Sequence, residues 1–409
     1  MSDTTTADQR LVDRASALPL AIYVLGFGIF AMVTSEFQVS GMLTVMAADL
    51  GVPIPHIGYL VSMYACAMAF GGPLLTVALL KKPPKAALLT LYAIFICGES
   101  LGALSQSYQM LAAARLVTGA VSGAFFGTAL AICVQLVKER QRGWAMSIVL
   151  AGIMAGTVLG LPMANLIGTH LGWRESFWAT AGLTTIAALL SMAVIPSLPA
   201  QTSVSLRGEL SALKNPRLWL AFSTSLLIIG ATFAAFTYFI PILKEASGYS
   251  DSAVAGLLCA YGAATVVGNL VVGKLADRHT LSTLTIGLCL LTAFLAMFGI
   301  FADSKPFAAV SLIGIGLVGV TMNPAMVTRV MRVANGRPLV NTVHTSVITL
   351  GIMTGAFLGG LAISTGYGLQ APLWVGCAMA LAGLLSLVPE LWSRKPAPRC
   401  THRPPGNNG

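Results

Sequence analysis

The chain has 409 residues, of which 56% are hydrophobic and 9% are charged. Soluble globular domains carry about 25% charged residues, so this composition excludes a conventional soluble enzyme. The net charge of +10 does not indicate a nucleic-acid partner, because the basic residues occur in small clusters between apolar stretches and not in one patch with interleaved aromatic residues.

Twelve apolar stretches follow one another along the chain, and each is long enough to cross a bilayer. A spanning helix needs about 20 mostly apolar residues, and these stretches end at Gly, Pro or charged residues. In the first half of the chain we predict spans at 18–42, 55–80, 86–105, 109–137, 143–168 and 174–196. In the second half we predict spans at 216–243, 251–275, 281–302, 306–331, 340–366 and 371–392. The predicted fold class is an all-α integral membrane protein with twelve transmembrane helices in two six-helix bundles.

Polar segments flank the two predicted bundles. Residues 197–215 form the longest polar interruption between spans and fall at the middle of the chain, so we interpret them as a cytoplasmic linker between bundles at 18–196 and 216–392. Residues 1–17 precede the first span. The tail 393–409 is basic and rich in Pro and Gly, which offers no apolar face to fold around and predicts disorder.

The basic residues predict the orientation of the chain. Loops rich in Lys and Arg stay on the cytoplasmic side of a membrane. If the N-terminus is cytoplasmic, nearly all of the 24 Lys and Arg residues fall on that side, and Arg174, Lys244 and Lys305 fall on the other. We therefore predict a multi-pass protein of the cell inner membrane with both termini in the cytoplasm.

A glycine pattern is repeated in the two halves of the chain. The segment from Gly152 through Gly156 to Gly160 in span 5 is similar to the segment from Gly351 to Gly359 in span 11. Residues four apart share a helix face, and small residues on that face let two helix backbones approach closely. The pattern predicts that span 5 packs tightly and slides against a partner helix, with packing alone as the alternative.

Several motifs resemble those of the major facilitator superfamily, in its twelve-span drug:proton antiporter branch. The subgroup that the chain resembles most contains arabinose and sugar efflux permeases and chloramphenicol resistance exporters. The resemblance extends over residues 20–392 and rests on segments 34–37 and 47–52 in span 1, 115–119 and 123–127 in span 4, 171–177 before span 6, and 371–376 at the start of span 12.

Two loops and the span 5 motif of that family correspond to further residues of this chain. The second-half loop from Gly273 to Asp277 and Arg278 keeps the family pattern, so the resemblance implies that these residues control the conformation. The matching first-half loop, 78–85, keeps its positive charge but lacks the Asp. The span 5 motif of the family ends in Gly-Pro, whereas here Pro162 follows one residue later.

The resemblance implies a secondary active transporter that exports a small organic molecule, such as a drug, a sugar or a related metabolite, in exchange for protons. It implies no cofactor beyond the proton gradient and no partners beyond the substrate, protons and the lipid bilayer, and we expect a monomer. Proton-coupled uptake and a non-transporting membrane receptor remain alternatives. A membrane-embedded enzyme is disfavoured because the histidines form no HExxH motif.

Glu36, Glu99 and Arg115 are the ionisable residues that the spans place inside the membrane. A charged side chain at mid-bilayer costs about 2.5–3.5 kcal/mol, so each needs a partner, a wet cavity or a role in proton transfer. Glu99 and Arg115 flank one short turn at equal depth and can form an ion pair, which would be structural, although the resemblance implies a proton-coupling role for Arg115. Glu36 has no counter-ion in its own span and is our predicted proton carrier, with a neutral, hydrogen-bonded Glu as the alternative.

A binding cavity is expected near the bilayer midplane, between the two halves. Small-molecule sites combine apolar walls with a few convergent polar groups. The candidate residues are Phe125, Phe126, Asn165, Phe233, Phe236, Tyr238, Asn323 and His344. Core packing is the alternative for each aromatic residue, a cap on the backbone freed by Pro324 is the alternative for Asn323, and a gate or a solvated position is the alternative for His344.

Overall fold

The computed structural model describes residues 18–79, 81–199, 215–334 and 338–392. Within these ranges the chain forms twelve helices that are long and apolar enough to span a membrane, which confirms the predicted fold class. The first six are α1 (Leu20–Gly41), α2 (Ile54–Leu79), α3 (Pro84–Ala103), α4 (Tyr108–Leu136), α5 (Arg142–His170) and α6 (Trp173–Val194). The last six are α7 (Pro216–Phe236), α8 (Asp251–Ala276), α9 (Arg278–Ile300), α10 (Lys305–Val333), α11 (Val343–Tyr367) and α12 (Ala371–Glu390).

The helices pack as two similar bundles. In the first bundle α1 packs most extensively on α5, and in the second α7 packs most extensively on α11. The bundles meet along two seams, α2 against α11 and α5 against α8. We call the end of the molecule at which α1 begins and α12 ends the terminal face, and the other end the far face. The predicted segments 1–17 and 393–409, and residues 200–214 of the predicted linker, lie outside the described residues.

The join between α8 and α9 is tighter than a loop. We expected spans at 251–275 and 281–302, and the structure has apolar helices at Asp251–Ala276 and Arg278–Ile300. The backbone is non-helical at His279, where φ is −129° and ψ is 41°, so the two helices meet at a kink there. The sequence has no Gly or Pro between Gly273 and Gly287, so hydropathy located both spans but no residue type marked the kink.

Two other spans contain breaks that hydropathy does not report. In α10 the helix stops at Val318, a 3₁₀ turn follows at Val320–Met322, and a new helix starts at Asn323. Pro324 lacks the N–H that a continuous helix would need there. The prediction for span 7 was also too long, because α7 ends at Phe236 and a short helix and a π segment follow it.

Polar contacts at the far face fasten the first bundle. Asp49, in the short helix Leu43–Leu50, accepts hydrogen bonds from Trp173 Nε1 at 2.9 Å and from Arg174 Nη1 at 2.7 Å. Arg174 also donates to the backbone oxygen of Ser105 at 3.0 Å. The hydrogen bonds from Trp173 and Arg174 hold the pKa of Asp49 below its ordinary value of 3.8.

We expect acid to weaken these contacts. Because the pKa of Asp49 is lower in the folded protein, its contribution to stability is present above the unfolded-state pKa of 3.8 and is lost as the pH falls through the folded-state pKa. Thermal unfolding of the purified protein should show wild type losing more stability than Asp49→Asn between pH 6 and pH 3. The difference should not exceed about 1 kcal/mol, since the pair is exposed to solvent. Equal losses in the two proteins would contradict this assignment.

Candidate functional site

The glycines of the repeated pattern lie where helices approach each other closely. A Cβ at Gly152 would overlap with the backbone oxygen of Gly26 in α1, and a Cβ at Gly156 would meet the Val33 side chain at 2.6 Å. In the second bundle Gly355 approaches the backbone oxygen of Gly230 in α7 in the same way. Each copy of the pattern therefore packs the fifth helix of its bundle against the first. Whether these helices also slide stays a prediction.

Arg115 in α4 is fully buried inside the first bundle. Its Nη1 donates to the backbone oxygen of Ser35 at 3.0 Å and to the Ser35 hydroxyl at 3.1 Å, and its Nη2 donates to the backbone oxygen of Glu36 at 3.5 Å. The guanidinium lies over the ring of Tyr64 in α2, 4.1 Å from the ring centroid. Nε is buried and has no hydrogen-bond partner among the described residues.

Glu99 in α3 is fully buried behind the same segment of α1. Its carboxylate accepts a hydrogen bond of 2.5 Å from the Ser35 hydroxyl and one of 3.1 Å from Gln38 Nε2. Gln38 in turn accepts a hydrogen bond of 2.9 Å from Thr180 in α6. The Glu99 carboxylate is thus bound directly to α1. Through Gln38 it is connected to Thr180 of α6, and through Ser35 to Arg115 of α4.

The expected direct ion pair between Glu99 and Arg115 is not formed. The two side chains do lie at the same depth, but the Ser35 hydroxyl stands between them, accepting from Arg115 and donating to Glu99. The prediction considered only α3 and α4, whereas α1 places Ser35 between the two charged groups.

Glu36 is the acid of this group that is not fully buried. No described residue forms a hydrogen bond with its carboxylate, although its backbone oxygen binds Arg115. Successive residues point about 100° apart around a helix, so Ser35 faces Glu99 while the neighbouring Glu36 faces elsewhere. The predicted alternative, a hydrogen-bonded neutral Glu, is not present in this conformation.

Four polar residues of this site were missed at the sequence level: Ser35, Gln38, Tyr64 and Thr180. The run from Thr34 to Gln38 places several polar residues in one span, and Ser35 and Gln38 lie three residues apart on one helix face. Buried polar side chains in a membrane span need partners, so this run could have pointed to the network. The Tyr64 hydroxyl shares a hydrogen bond of 2.6 Å with the Ser122 hydroxyl.

Aromatic side chains join the two bundles beside Glu36. Phe37 of α1 stacks on Phe233 of α7, with ring centroids 6.1 Å apart, and meets Phe236 edge-on at 5.3 Å. Phe236 also packs against Tyr261 of α8 at 5.5 Å. Phe233 and Phe236, both predicted to line the cavity, therefore lie at the contact between the halves, although both are buried in this conformation.

Tyr238 is a second contact between the bundles. It is fully buried and donates its hydroxyl to the backbone oxygen of Ala356 in α11 at 3.2 Å. The same hydroxyl lies against Gly58 of α2, where a Cβ would overlap with it. Its position suits closure of the far face better than an open cavity wall.

Several predicted cavity residues pack inside a single bundle instead. Phe125 is fully buried against Tyr92, with ring centroids 4.8 Å apart, whereas Phe126 is half-buried. Asn165 donates to the backbone oxygen of Gly41 at 3.2 Å and so ties α5 to α1. Residue periodicity could not separate these positions from a cavity wall, because spans that are apolar all round do not show which face is inward.

His344 and Asn323 also differ from the expectation. His344 is buried, shares a hydrogen bond of 2.8 Å with Ser225 through Nε2 and stacks on Phe222, so it is neither solvated nor placed between the bundles. Asn323 follows the break in α10, but its Oδ1 is buried without a partner among the described residues. The carbonyl freed by Pro324 needs a donor, which this acceptor oxygen cannot supply, so the cap by Asn323 stays a prediction.

The loop residues predicted to control the conformation lie on the terminal face. Gly273 has open space around it and Arg278 is exposed. The side chain of Asp277 lies outside the described residues. Pro162 is buried within the continuous helix α5.

Twelve membrane helices in two bundles, with a buried acid, a buried guanidinium and a partly exposed acid in the first, define a polytopic membrane protein with ionisable groups inside its spans. The pattern of the Major Facilitator Superfamily matches residues 25–347. The chain belongs to this superfamily of transporters and is not an enzyme.

Individual relatives agree with this membership. The chain is 32% identical to the chloramphenicol resistance protein of Streptomyces lividans over 378 residues, which cover 91% of this chain and 96% of that protein. It is 33% identical to the inner membrane transport protein YdhP of Escherichia coli K12 over 375 residues, with coverage of 91% and 96%. The crystal structure of the human organic anion transporter MFSD10 is similar in fold, with a TM-score of 0.65, 15% identity and coverage of 90% of this chain and 98% of that one.

Proposed function

We propose that the protein exports a small organic molecule in exchange for protons, by alternating access, and that Glu36 carries the proton. The observation that carries this proposal is the state of the Glu36 carboxylate, which is partly exposed and has no hydrogen-bond partner among the described residues, beside the fully buried Arg115. A carboxylate in such surroundings can exchange a proton, whereas Glu99 is enclosed by the hydrogen bonds that it accepts.

The charges of the site suit a carrier that alternates between two states. With Glu36 ionised, the two carboxylates outnumber the one guanidinium. With Glu36 protonated, Arg115 and Glu99 balance each other through Ser35. A proton that enters down a potential of 100 mV supplies about 2.3 kcal/mol, which is enough to bias a conformational equilibrium by more than tenfold.

The position of Glu36 links its proton to the contact between the bundles. Phe37 follows it in α1 and packs on Phe233 and Phe236 of α7. Opening of the far face must separate these rings and release Tyr238 from α2. A change of charge at Glu36 therefore acts one residue away from the contact that has to break, and a substrate bound between the bundles acts on the same equilibrium.

The relatives support the direction and the setting of this proposal. One is named a chloramphenicol resistance protein, which favours export of an organic compound, and another is named an inner membrane transport protein. The clusters of Lys and Arg favour cytoplasmic termini. In that orientation the terminal face lies in the cytoplasm, and protons enter from the far face.

We expect Glu36→Gln to abolish proton coupling. The purified protein is reconstituted in proteoliposomes that contain a pH-sensitive dye, and a compound panel beginning with chloramphenicol and arabinose is added. Wild type should show proton movement that depends on a compound, and Glu36→Gln should show none while it still exchanges labelled compound across the membrane. The glutamine amide cannot ionise, so the substitution leaves the exchange of compound intact but removes the proton from the cycle.

A matched control is Glu245→Gln, which makes the same chemical change at an exposed position outside the spans. This variant should behave as wild type. Unchanged proton movement in Glu36→Gln would remove Glu36 from the mechanism. Proton movement in the same direction as the compound would instead indicate symport.

A further inference from the structure

A cavity of about 440 Å³ lies in the seam between α2 and α11, away from the charged site. Its lining comes from both bundles. The lining residues are Tyr59, Ser62, Met63 and Cys66 of α2 and Met353, Thr354, Phe357 and Leu358 of α11. The volume falls within the range of about 300–1,000 Å³ that is typical of small-molecule sites.

The cavity is open to the outside of the seam, and an exposed apolar stripe on α2 leads to it. Tyr59, Met63 and Cys66 lie on one face of α2 by helical spacing, and the same face continues toward the terminal face with Phe70 and Leu74. These two side chains are apolar and are 57% and 72% exposed. An exposed apolar stripe within a membrane span is suited to contact with the hydrocarbon of the bilayer. A molecule dissolved in the bilayer can therefore reach the cavity without passing through water.

The far-face end of the cavity is closed by contacts between the bundles. The Tyr59 hydroxyl shares a hydrogen bond of 3.5 Å with Ser364, and the Tyr59 ring packs on Phe357 with centroids 5.3 Å apart. At the other end, α2 changes to a π segment, Ala67–Gly71, directly after Cys66. Such π segments are frequent at functional sites. Met63 and Met353 give the walls flexible side chains that adapt to different shapes.

One buried polar group makes this cavity more than an apolar groove. Ser62 is 5% exposed, and its hydroxyl has no hydrogen-bond partner among the described residues. Many other hydroxyls in the spans bind the carbonyl of the preceding turn, as those of Thr76 and Thr118 do. A buried hydroxyl without a partner costs free energy, and rotation about χ1 can turn it toward the cavity.

From these observations we propose that the α2–α11 cavity binds an uncharged, mainly apolar small molecule that carries one hydrogen-bonding group, which Ser62 recognises, and that this molecule enters from the bilayer. The proposal rests on the proposed function, because it assigns the class of compound that such an exporter would take up from the membrane. The absence of charged residues from the lining disfavours an ionic ligand.

Cys66 provides a direct readout of occupancy. A variant retains Cys66 and replaces every other cysteine with alanine, and a second variant retains only Cys97, an exposed residue of α3 that does not line the cavity. Each full-length protein, in lipid nanodiscs, reacts with N-phenylmaleimide, and intact-protein mass spectrometry measures the rate. Three competitors differ in one group: 4-octylphenol has a hydroxyl, octylbenzene has none, and 4-octylbenzenesulfonate is charged.

We expect 4-octylphenol to slow the modification of Cys66 about fivefold more than octylbenzene does, which is the effect of one hydrogen bond of about 1 kcal/mol. The sulfonate should not protect Cys66, and Cys97 should not be protected by any competitor. Ser62→Ala in the Cys66 variant should remove the difference between octylphenol and octylbenzene.

Three outcomes would overturn the proposal. Equal protection by octylphenol and octylbenzene would show that the cavity holds only a hydrocarbon chain, such as that of a bilayer lipid. Protection by the sulfonate, or protection of Cys97 to the same extent, would show binding elsewhere. The labelling measurement involves no proton gradient. If octylphenol does not protect Cys66 while proton-coupled export is normal, this site alone is rejected. If octylphenol protects Cys66 while proton-coupled export is absent, the proposed function alone is rejected.

Discussion

Arg115→Met is expected to remove proton-coupled transport and to destabilise the protein by about 3–5 kcal/mol, because it leaves the Glu99 carboxylate buried without a cation. The substitution also removes the hydrogen bonds of the guanidinium to Ser35 and to the Glu36 backbone, and its contact with the Tyr64 ring. Methionine keeps an unbranched apolar side chain of similar length, so most of the effect reports the lost charge. Thermal unfolding in detergent and the proteoliposome assay measure the two effects separately.

The double variant Arg115→Met with Glu99→Gln separates the structural role of this group from its role in transport. A neutral amide at position 99 can still bind Ser35 and Gln38, so the double variant should recover most of the lost stability. It should not recover proton-coupled transport, because no cation remains beside Glu36. The comparison of the two single variants with the double variant gives the coupling between the sites.

Two results would contradict this account. If Glu99→Gln recovers no stability in the Arg115→Met background, then Ser35 does not transmit an interaction between the two charges. If Arg115→Met alone transports as wild type does, then the guanidinium is structural, and the charge balance proposed for the two states of Glu36 is wrong.

The spans were predictable from sequence because a bilayer leaves the backbone few choices. Each span must satisfy its own hydrogen bonds as a helix and must be apolar over about 20 residues, so hydropathy found all twelve. The same signal did not show that α8 and α9 meet at a kink at His279, nor that α10 breaks at Gly319. Such details depend on the backbone angles of single residues, and hydropathy averages over them.

The charged site was predictable in its members but not in its connections. Charges inside spans are rare, so Glu36, Glu99 and Arg115 stood out by position alone. Ser35 was not expected between Glu99 and Arg115, because contacts between distant helices depend on rotation of each helix about its axis, which sequence does not report for spans with little amphipathicity. The same limit explains why Phe125 and His344 were placed among cavity candidates although both pack inside one bundle.

Gly152→Ala is the second change for which we expect a large effect. A methyl group at this position would overlap with the backbone oxygen of Gly26, and backbone cannot move aside as the end of a flexible side chain can. The contact between α1 and α5 must therefore widen, at a cost of about 1–3 kcal/mol. Since α1 carries Ser35 and Glu36, widening also displaces them from Arg115, so proton-coupled transport should fall along with the melting temperature.

The matched control is Gly182→Ala in α6, because a Cβ at this position meets no atom within 4 Å. Alanine favours a helix over glycine by up to about 1 kcal/mol, so this variant should be unchanged or slightly more stable. The same substitution is thus expected to act in opposite directions at two helical glycines. If Gly152→Ala is also neutral or stabilising, then the close approach of α1 and α5 does not hold in the protein, and the packing assigned to the glycine repeat is wrong in both bundles.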